Sequence, residues 1–263
     1  MGNDMISKKR ATLLGVAVVL AVACSAWSNV IYVDDDAAVG GDGTSWATAH
    51  RWLQDALTEA RWTGAPVEIR IAQGTYKPDQ WWAYPGRAGN DRSEHFFRLD
   101  NDMSLLGGYA GIGANDPNRR DAEAYKTVFS GDLLGNDAPV TDAAQMRDDP
   151  TREDNSPVMC VYGEGSRLNG CIITGAHWAF GALEIRGGVT VTNCTFSANC
   201  GDIQYPGCSG AVSLQTSRTD IVFERCTFTR NAGHLGGALA GHDLALDNCR
   251  FAENYAWGKG GGA

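Results

Sequence analysis

Val191-Thr-Asn-Cys194-Thr-Phe196-Ser-Ala-Asn199 is followed by Phe223-Glu-Arg-Cys226-Thr-Phe228-Thr-Arg-Asn231 and by Leu246-Asp-Asn-Cys249-Arg-Phe251-Ala-Glu-Asn254. A worn copy stands earlier, at Leu168-Asn-Gly-Cys171-Ile-Ile173. Each copy is answered by a small-residue phrase: Gly181-Ala182-Leu183, Gly210-Ala211-Val212, Gly236-Gly237-Ala238-Leu239 and Gly261-Gly262-Ala263. The cysteines recur at spacings of 23, 32 and 23 residues, the alanines of the second phrase at 29, 27 and 25. Repeats of that length signal a solenoid, in which each unit buries its apolar face against its neighbours.

Within a repeat, Leu183-Glu-Ile185, Val212-Ser-Leu214 and Val189-Thr-Val191 alternate apolar and polar residues. That period of two predicts strands with one buried face, and no repeat has room for two helices. Cys and Phe stand two apart in each phrase and so share a strand face. Stacking then makes Cys171, Cys194, Cys226 and Cys249 a buried thiol column and Phe196, Phe228 and Phe251 a buried aromatic column. The Thr, Ser and Arg between them face water. Asn193 and Asn248 suit bends, because Asn tolerates the left-handed conformation. The expected fold is all-β, a parallel β-helix.

Upstream, Val30–Val33 reads as a strand ending in Asp34-Asp35-Asp36. After Trp46 a helical stretch runs to about Arg61, with Leu53, Ala56, Leu57 and Ala60 forming an apolar stripe. Gly64-Ala-Pro66 stops it. This predicts a short amphipathic helix capping the first coil, because an open end would expose core and strand edges. Val67–Ala72 is the next strand, and Gly74–Pro78 turns out of it. Residues 79–95 form a polar loop bearing Trp81, Trp82 and Tyr84. Phe96–Leu99 and Met103–Leu106 are strands, and 110–126 and 135–156 are surface excursions. The organisation is therefore a signal segment over 1–28, a cap and irregular coils with long loops over 29–158, and regular coils over 159–263.

The 263 residues carry a formal net charge of −9, which argues against a nucleic-acid partner. Lys8-Lys9-Arg10 precede a 13-residue apolar run from Ala11 to Ala23. The run is short for a bilayer span and right for a signal peptide, so the chain is expected to be exported and to begin between Trp27 and Val30. No later stretch is apolar enough to span a membrane. Of the eight cysteines, Cys24 leaves with the signal and four belong to the column. Cys200 and Cys208 flank the insertion Gly201–Gly207 and are the expected disulfide. Cys160 has no evident partner.

The Phe-x-x-Asn phrase followed by Gly-Gly-Ala-Leu resembles the repeat of the chlamydial polymorphic outer-membrane proteins; Phe196/Asn199, Phe228/Asn231, Phe251/Asn254 and Gly236–Leu239 carry it. Residues 30–182 resemble the leader of large exported bacterial right-handed β-helix proteins of the pectin-lyase-like class. Ile31–Asp34, Trp46 with Leu53–Ala56, Gly74–Pro78, Leu106–Tyr109, Ser130–Asp132 and Leu168–Gly175 carry that likeness. The resemblance implies a right-handed coil, export and a cell-surface or secreted place. It assigns no reaction, since a fold does not carry a function by itself.

Enzymes of that class hold carboxylates and a basic group on the outside of stacked strands, with Ca²⁺ in the lyases. Here Asn169, Thr192, Glu224 and Asp247 stand two before the column cysteines, so Glu224 and Asp247 are expected one rung apart, with Arg225 beside them. Such a pair can share a proton or bind Ca²⁺; the plain alternative is a solvated charged face. Asp34, Asp35 and Asp36 with Asp42 offer a second oxygen set for Ca²⁺, against a polar strand end and turn. Trp81, Trp82 and Tyr84 could stack on sugar rings or simply pack. His234 and His242 lack metal-ligand spacing, and no nucleophile elbow, P-loop or dinucleotide fingerprint occurs. The reading is a structural, adhesive or glycan-binding module that catalyses nothing by itself, with a lyase or hydrolase of acidic polysaccharide as the alternative. Self-association through the C-terminal strand edges is also expected.

Overall fold

The computed structural model describes residues 29–64, 66–78, 95–201, 208–217 and 220–258. The signal segment 1–28, Trp81, Trp82, Tyr84 and the phrase Gly261-Gly262-Ala263 lie outside the described residues.

The alternating runs form short strands that pair in parallel, coil on coil, into four sheets. A seven-stranded sheet stacks Asn29–Val33, Val67–Ala72, Met103–Tyr109, Ser166–Asn169, Val189–Thr192, Ile221–Glu224 and Leu244–Asp247. A six-stranded sheet runs from Gly74–Tyr76 through Thr127–Ser130, Cys171–Thr174, Thr195–Ser197 and Thr227–Thr229 to Arg250–Ala252. A five-stranded sheet holds Phe97–Leu99, Met159–Val161, Leu183–Ile185, Val212–Leu214 and Leu239–Ala240. One apolar core fills the space between these sheets, from Ile31 to Leu239. The chain is a parallel β-helix, and no described helix is long and apolar enough to cross a membrane.

The phrase residues stack as their spacing demands. Phe196 and Phe228 lie 4.9 Å apart at 8°, Phe228 and Phe251 4.8 Å apart at 6°. These are the strand-to-strand spacing of a sheet, repeated by identical side chains. Below Phe196 the column continues in register through Ile173, Phe129 and Tyr76.

The residue before each column cysteine is left-handed: Asn193, Arg225 and Asn248 have φ of 52°, 51° and 50°. Asn meets this at little cost, whereas Arg225 is held there by the coils on either side. Each thiol then donates to the carbonyl two residues earlier: Cys194 to Thr192 (3.2 Å), Cys226 to Glu224 (3.4 Å) and Cys249 to Asp247 (3.5 Å). Those carbonyls also accept an amide from the coil below, so the thiol satisfies a second lone pair at the corner. Burial raises the thiols of Cys194 and Cys226, which makes these two poor nucleophiles.

A second left-handed corner follows at Ala198, Arg230 and Glu253. The next residues, Asn199, Asn231 and Asn254, form a ladder. Asn199 Nδ2 donates to Asn231 Oδ1 at 3.0 Å, and Asn231 Nδ2 donates to Asn254 Oδ1 at 3.0 Å. The same amides reach the carbonyls of Ile173 and Phe196. Asn199 and Asn231 are fully buried and satisfied inside the stack.

Helix α1 (Leu53–Thr63) caps the first coil, with Leu53, Ala56, Leu57 and Ala60 buried against strands Asn29–Val33 and Phe97–Leu99. Gly64, at φ 78°, ends it. The helix starts at Leu53, because Trp46–Thr48 is a separate 3-10 turn. Trp46 packs there between Tyr32 and Tyr109, and its Nε1 donates to Asn118 Oδ1 at 3.0 Å.

Several sequence expectations change. Gly74–Tyr76 pairs with Thr127–Phe129 as a strand, where a turn was expected. The strand from Met103 continues past Leu106 to Tyr109, with a register shift that Gly108 (φ 88°) accommodates. The excursion 135–156 contains 3-10 turns at Ala143–Asp148 and Pro150–Arg152. A buried Arg152 pins it to the stack, pairing with Asp137 at 2.9 Å and donating to the carbonyls of Ala176 (3.2 Å) and Ala198 (2.6 Å). The expected Cys200–Cys208 disulfide is not formed. Cys200 belongs to a small fourth sheet with His177–Trp178, Ala232–Gly233 and Tyr255–Ala256, and its side chain packs with Ala143, Met146 and Ala232 beneath the excursion.

Candidate functional site

Three outward-facing groups hold the chemistry-bearing side chains. The first is the outer row of the seven-stranded sheet. Strand register aligns Tyr32, Arg70, Leu106, Asn169, Thr192, Glu224 and Asp247 on successive coils. Glu224 and Asp247 are thus one rung apart, as their positions before the column cysteines require. Each carboxylate, however, has its own partner. Arg225 lies 3.3 Å from Glu224 and also donates to Asn193 Oδ1 at 2.9 Å. Asn248 donates to Asp247 at 2.9 Å. Among the described contacts, no hydrogen bond joins the two carboxyls, and Arg225 is spent on the corner. A shared proton needs two acids pushed together in a dry site; this row is open to solvent. Further down, Arg120 crosses the row to the carbonyls of Gly107 (2.9 Å) and Asn169 (3.2 Å).

The second group lies where the first coil meets the cap helix. Oxygens of Asp34, Asp35 and Asp36 lie within 4.8 Å of one another. Asp34 is buried and already committed: Oδ1 accepts the Asp36 amide (3.0 Å) and Oδ2 the Ile112 amide (2.6 Å). Asp35 Oδ2 accepts the Thr75 amide at 2.9 Å. Burial raises both carboxyls above the usual range, against the pull of these amides. Asp42 is elsewhere. Its carboxylate accepts the amide (3.1 Å) and hydroxyl (2.8 Å) of Thr44, and hydrogen bonds from Thr48 and Thr44 hold it at about 2. The four aspartates expected together are therefore two separate sets. Of the three that do meet, Asp35 and Asp36 open onto a cleft of about 390 Å³ that also holds Arg51, Trp52, Thr75, Tyr76 and Lys77. Two cations in the same cleft do not fit the all-oxygen shell of six to eight ligands that Ca²⁺ takes.

The third group is on the five-stranded sheet, where Arg98, Cys160, Glu184 and Ser213 align in one row. Arg98 lies 4.4 Å and Arg186 5.2 Å from the centre of the Tyr162 ring, and Phe96 stacks on it at 6.5 Å. Glu184 accepts Arg186 Nε at 2.8 Å. Burial, reinforced by Glu184, pushes the Cys160 thiol up to about 12, so it is a poor nucleophile. Sequence reasoning missed this cluster and the cationic half of the second. The alternation of Phe97-Arg98-Leu99 and Leu183-Glu-Ile185 already put Arg98 and Glu184 outside. Nothing in the sequence brought Arg51 to Lys77.

A stack of parallel coils closed by a cap helix, with thiol, aromatic and asparagine columns, defines a β-helix protein. The sequence model for the right-handed β-helix region matches residues 151–263. No curated protein matches the chain. Among solved structures, a protein of Parabacteroides merdae ATCC 43184, provisionally described as a glycosyl hydrolase, is similar at 14% identity and a TM-score of 0.33, over 75% of this chain and 87% of that one. The fold is a right-handed parallel β-helix.

Proposed function

We propose that this chain is an exported β-helix module, secreted or displayed at the cell surface, that binds glycans and turns none of them over by itself. The observation that carries this reading is the outer row of the seven-stranded sheet. From Asn169 through Thr192 and Glu224 to Asp247 it offers polar side chains at a regular rung spacing of about 4.8 Å. Its acids are each engaged by a neighbour on the same corner. Lys8-Lys9-Arg10 and the apolar run after them support export.

The test is affinity electrophoresis of the purified protein against a panel of neutral and acidic polysaccharides, with and without Ca²⁺, alongside an assay for new reducing ends and unsaturated products. Retardation without product is the expected result, weakened by Thr192→Arg in the middle of the row. The adjacency of Glu224 and Asp247 favours one second reading, a lyase or hydrolase of acidic polysaccharide. Cleavage abolished by Asp247→Asn would establish that reading and end the first.

Self-association is part of the proposal. Leu246 and Tyr255 on the outermost described strands, and Leu235 beside them, are 44%, 41% and 42% exposed. Apolar side chains exposed on these described strands favour contact between copies. Sedimentation should show concentration-dependent dimers that Leu246→Lys disperses; a monomer at all concentrations counts against it.

A further inference from the structure

We propose that the cleft between the cap helix and the first coil, walled by Asp35, Asp36, Arg51, Trp52, Thr75 and Lys77, binds a single neutral sugar ring. The proposal rests on the glycan-binding reading and gives it a second, separate site. The cleft is about 390 Å³, at the small end of the ~300–1,000 Å³ usual for small-molecule sites, which suits one ring rather than a chain. Its charges balance, two carboxylates against two cations. An anionic or cationic ligand would meet its own sign there, whereas a ring with neighbouring hydroxyls both donates and accepts. Carboxylate and guanidinium groups each take two such hydroxyls at once. Trp52, half-buried at the start of α1, supplies an apolar surface for the C–H face of the ring.

The walls are held before any ligand arrives. The Thr75 amide fixes Asp35 at 2.9 Å. Gly74, at φ 148°, lets that carboxylate in, because a Cβ there would fall 2.2 Å from Asp35 Oδ1. Arg51 Nη1 donates to the Ala37 carbonyl at 3.4 Å, and Lys77 Nζ to the Leu133 carbonyl at 3.2 Å. Three segments separated in sequence thus converge on one polar cleft beside an aromatic ring. Asp34 takes no part, since both its oxygens are already occupied by amides. Pre-positioned groups bind at less entropic cost.

Calorimetric titration of the full chain with the methyl glycosides of glucose, galactose and mannose, with methyl glucuronide and with CaCl₂, tests the assignment. Saturable binding of at least one neutral glycoside is expected. Arg51→Ala and Asp36→Asn, both at exposed positions, should each weaken it ten-fold or more. Trp52→Ala should abolish it; the two exposed variants decide the matter if that one unfolds the cap. Binding that survives Arg51→Ala and Asp36→Asn would place the ligand elsewhere. Saturable Ca²⁺ binding lost in Asp36→Asn would make the cleft a cation site and overturn the proposal. Polysaccharide retardation without any glycoside binding would remove the cleft and leave the sheet-face reading standing. Failure of both would remove both.

Discussion

Phe228 and Phe129 occupy the same aromatic column, yet they are packed differently. Phe228 is sandwiched face to face between Phe196 and Phe251, the equivalent residues of the coils on either side. Phe129 meets Tyr76 at 67° and Phe97 at 63°, edge on, and its neighbours come from two different sheets. The coils after residue 159 repeat one solution, so each side chain lands on its own copy. Those before it bury a similar core with unlike residues, and excursions leave the stack between strands. Repetition constrains the regular coils to structural ladders. The irregular coils are where loop residues can be gathered, and the mixed-charge cleft forms there.

The largest test of this contrast lies in the aromatic column. Phe228→Ala should cost about 3–5 kcal/mol, from lost burial and a cavity that two stacked rings cannot close. Thr227→Ala, on the outer face, should cost under about 1 kcal/mol. Equal shifts in urea melts would mean the strand faces are misassigned.

Arg152→Ala is the counterpart in the irregular half. It leaves Asp137 without its cation and the Ala176 and Ala198 carbonyls without their guanidinium. Breaking one side of a buried pair costs about 3 kcal/mol. Limited proteolysis should then cut within 131–156 before the regular coils open. Global unfolding with no early cut would show that the two regions are not separable.

The asparagine ladder gives a smaller, graded effect. Asn231→Ala removes amide contacts to Phe196 and Asn254 and the acceptor for Asn199, for a loss of about 2 kcal/mol. Asn254→Ala, on the last described rung and only half-buried, should cost less, since water replaces part of what it loses. A reversed ranking would break the idea that ladder position sets the cost.

The smallest effect belongs to the turn before the cap. Asp42 has its carboxyl lowered from 3.8 to about 2 by hydrogen bonds from Thr48 and Thr44. A folded value below the unfolded one adds stability above the unfolded value, and that stability is lost as pH falls through the folded one. The difference in melting temperature between the wild type and Asp42→Asn should therefore shrink between about pH 4 and pH 2. A difference that stays constant across that window would show that the hydrogen bonds do not hold the charged form.

The sequence by itself determined the regular half. The recurrence of Cys-x-Phe is enough to place Cys194, Phe196, Cys226 and Phe228 in columns, because a strand has only two faces and a stacked coil only one interior. The rung-by-rung order of Thr192, Glu224 and Asp247 followed from the same count. The buried role of Asn199 and Asn231 was within reach but went unread, since an Asn in a repeat looks like any turn residue until its carbonyl partners are known. Tertiary structure alone decided the rest. Arg51 and Lys77 are separated by a helix and two strands, and only the fold of the cap brings them to Asp35 and Asp36. Asp42, close to those acids in sequence, points into its own turn. Local periodicity reports which face of a strand a residue occupies. It says nothing about which distant loop will lie against that face, because that depends on how the irregular coils close around the core.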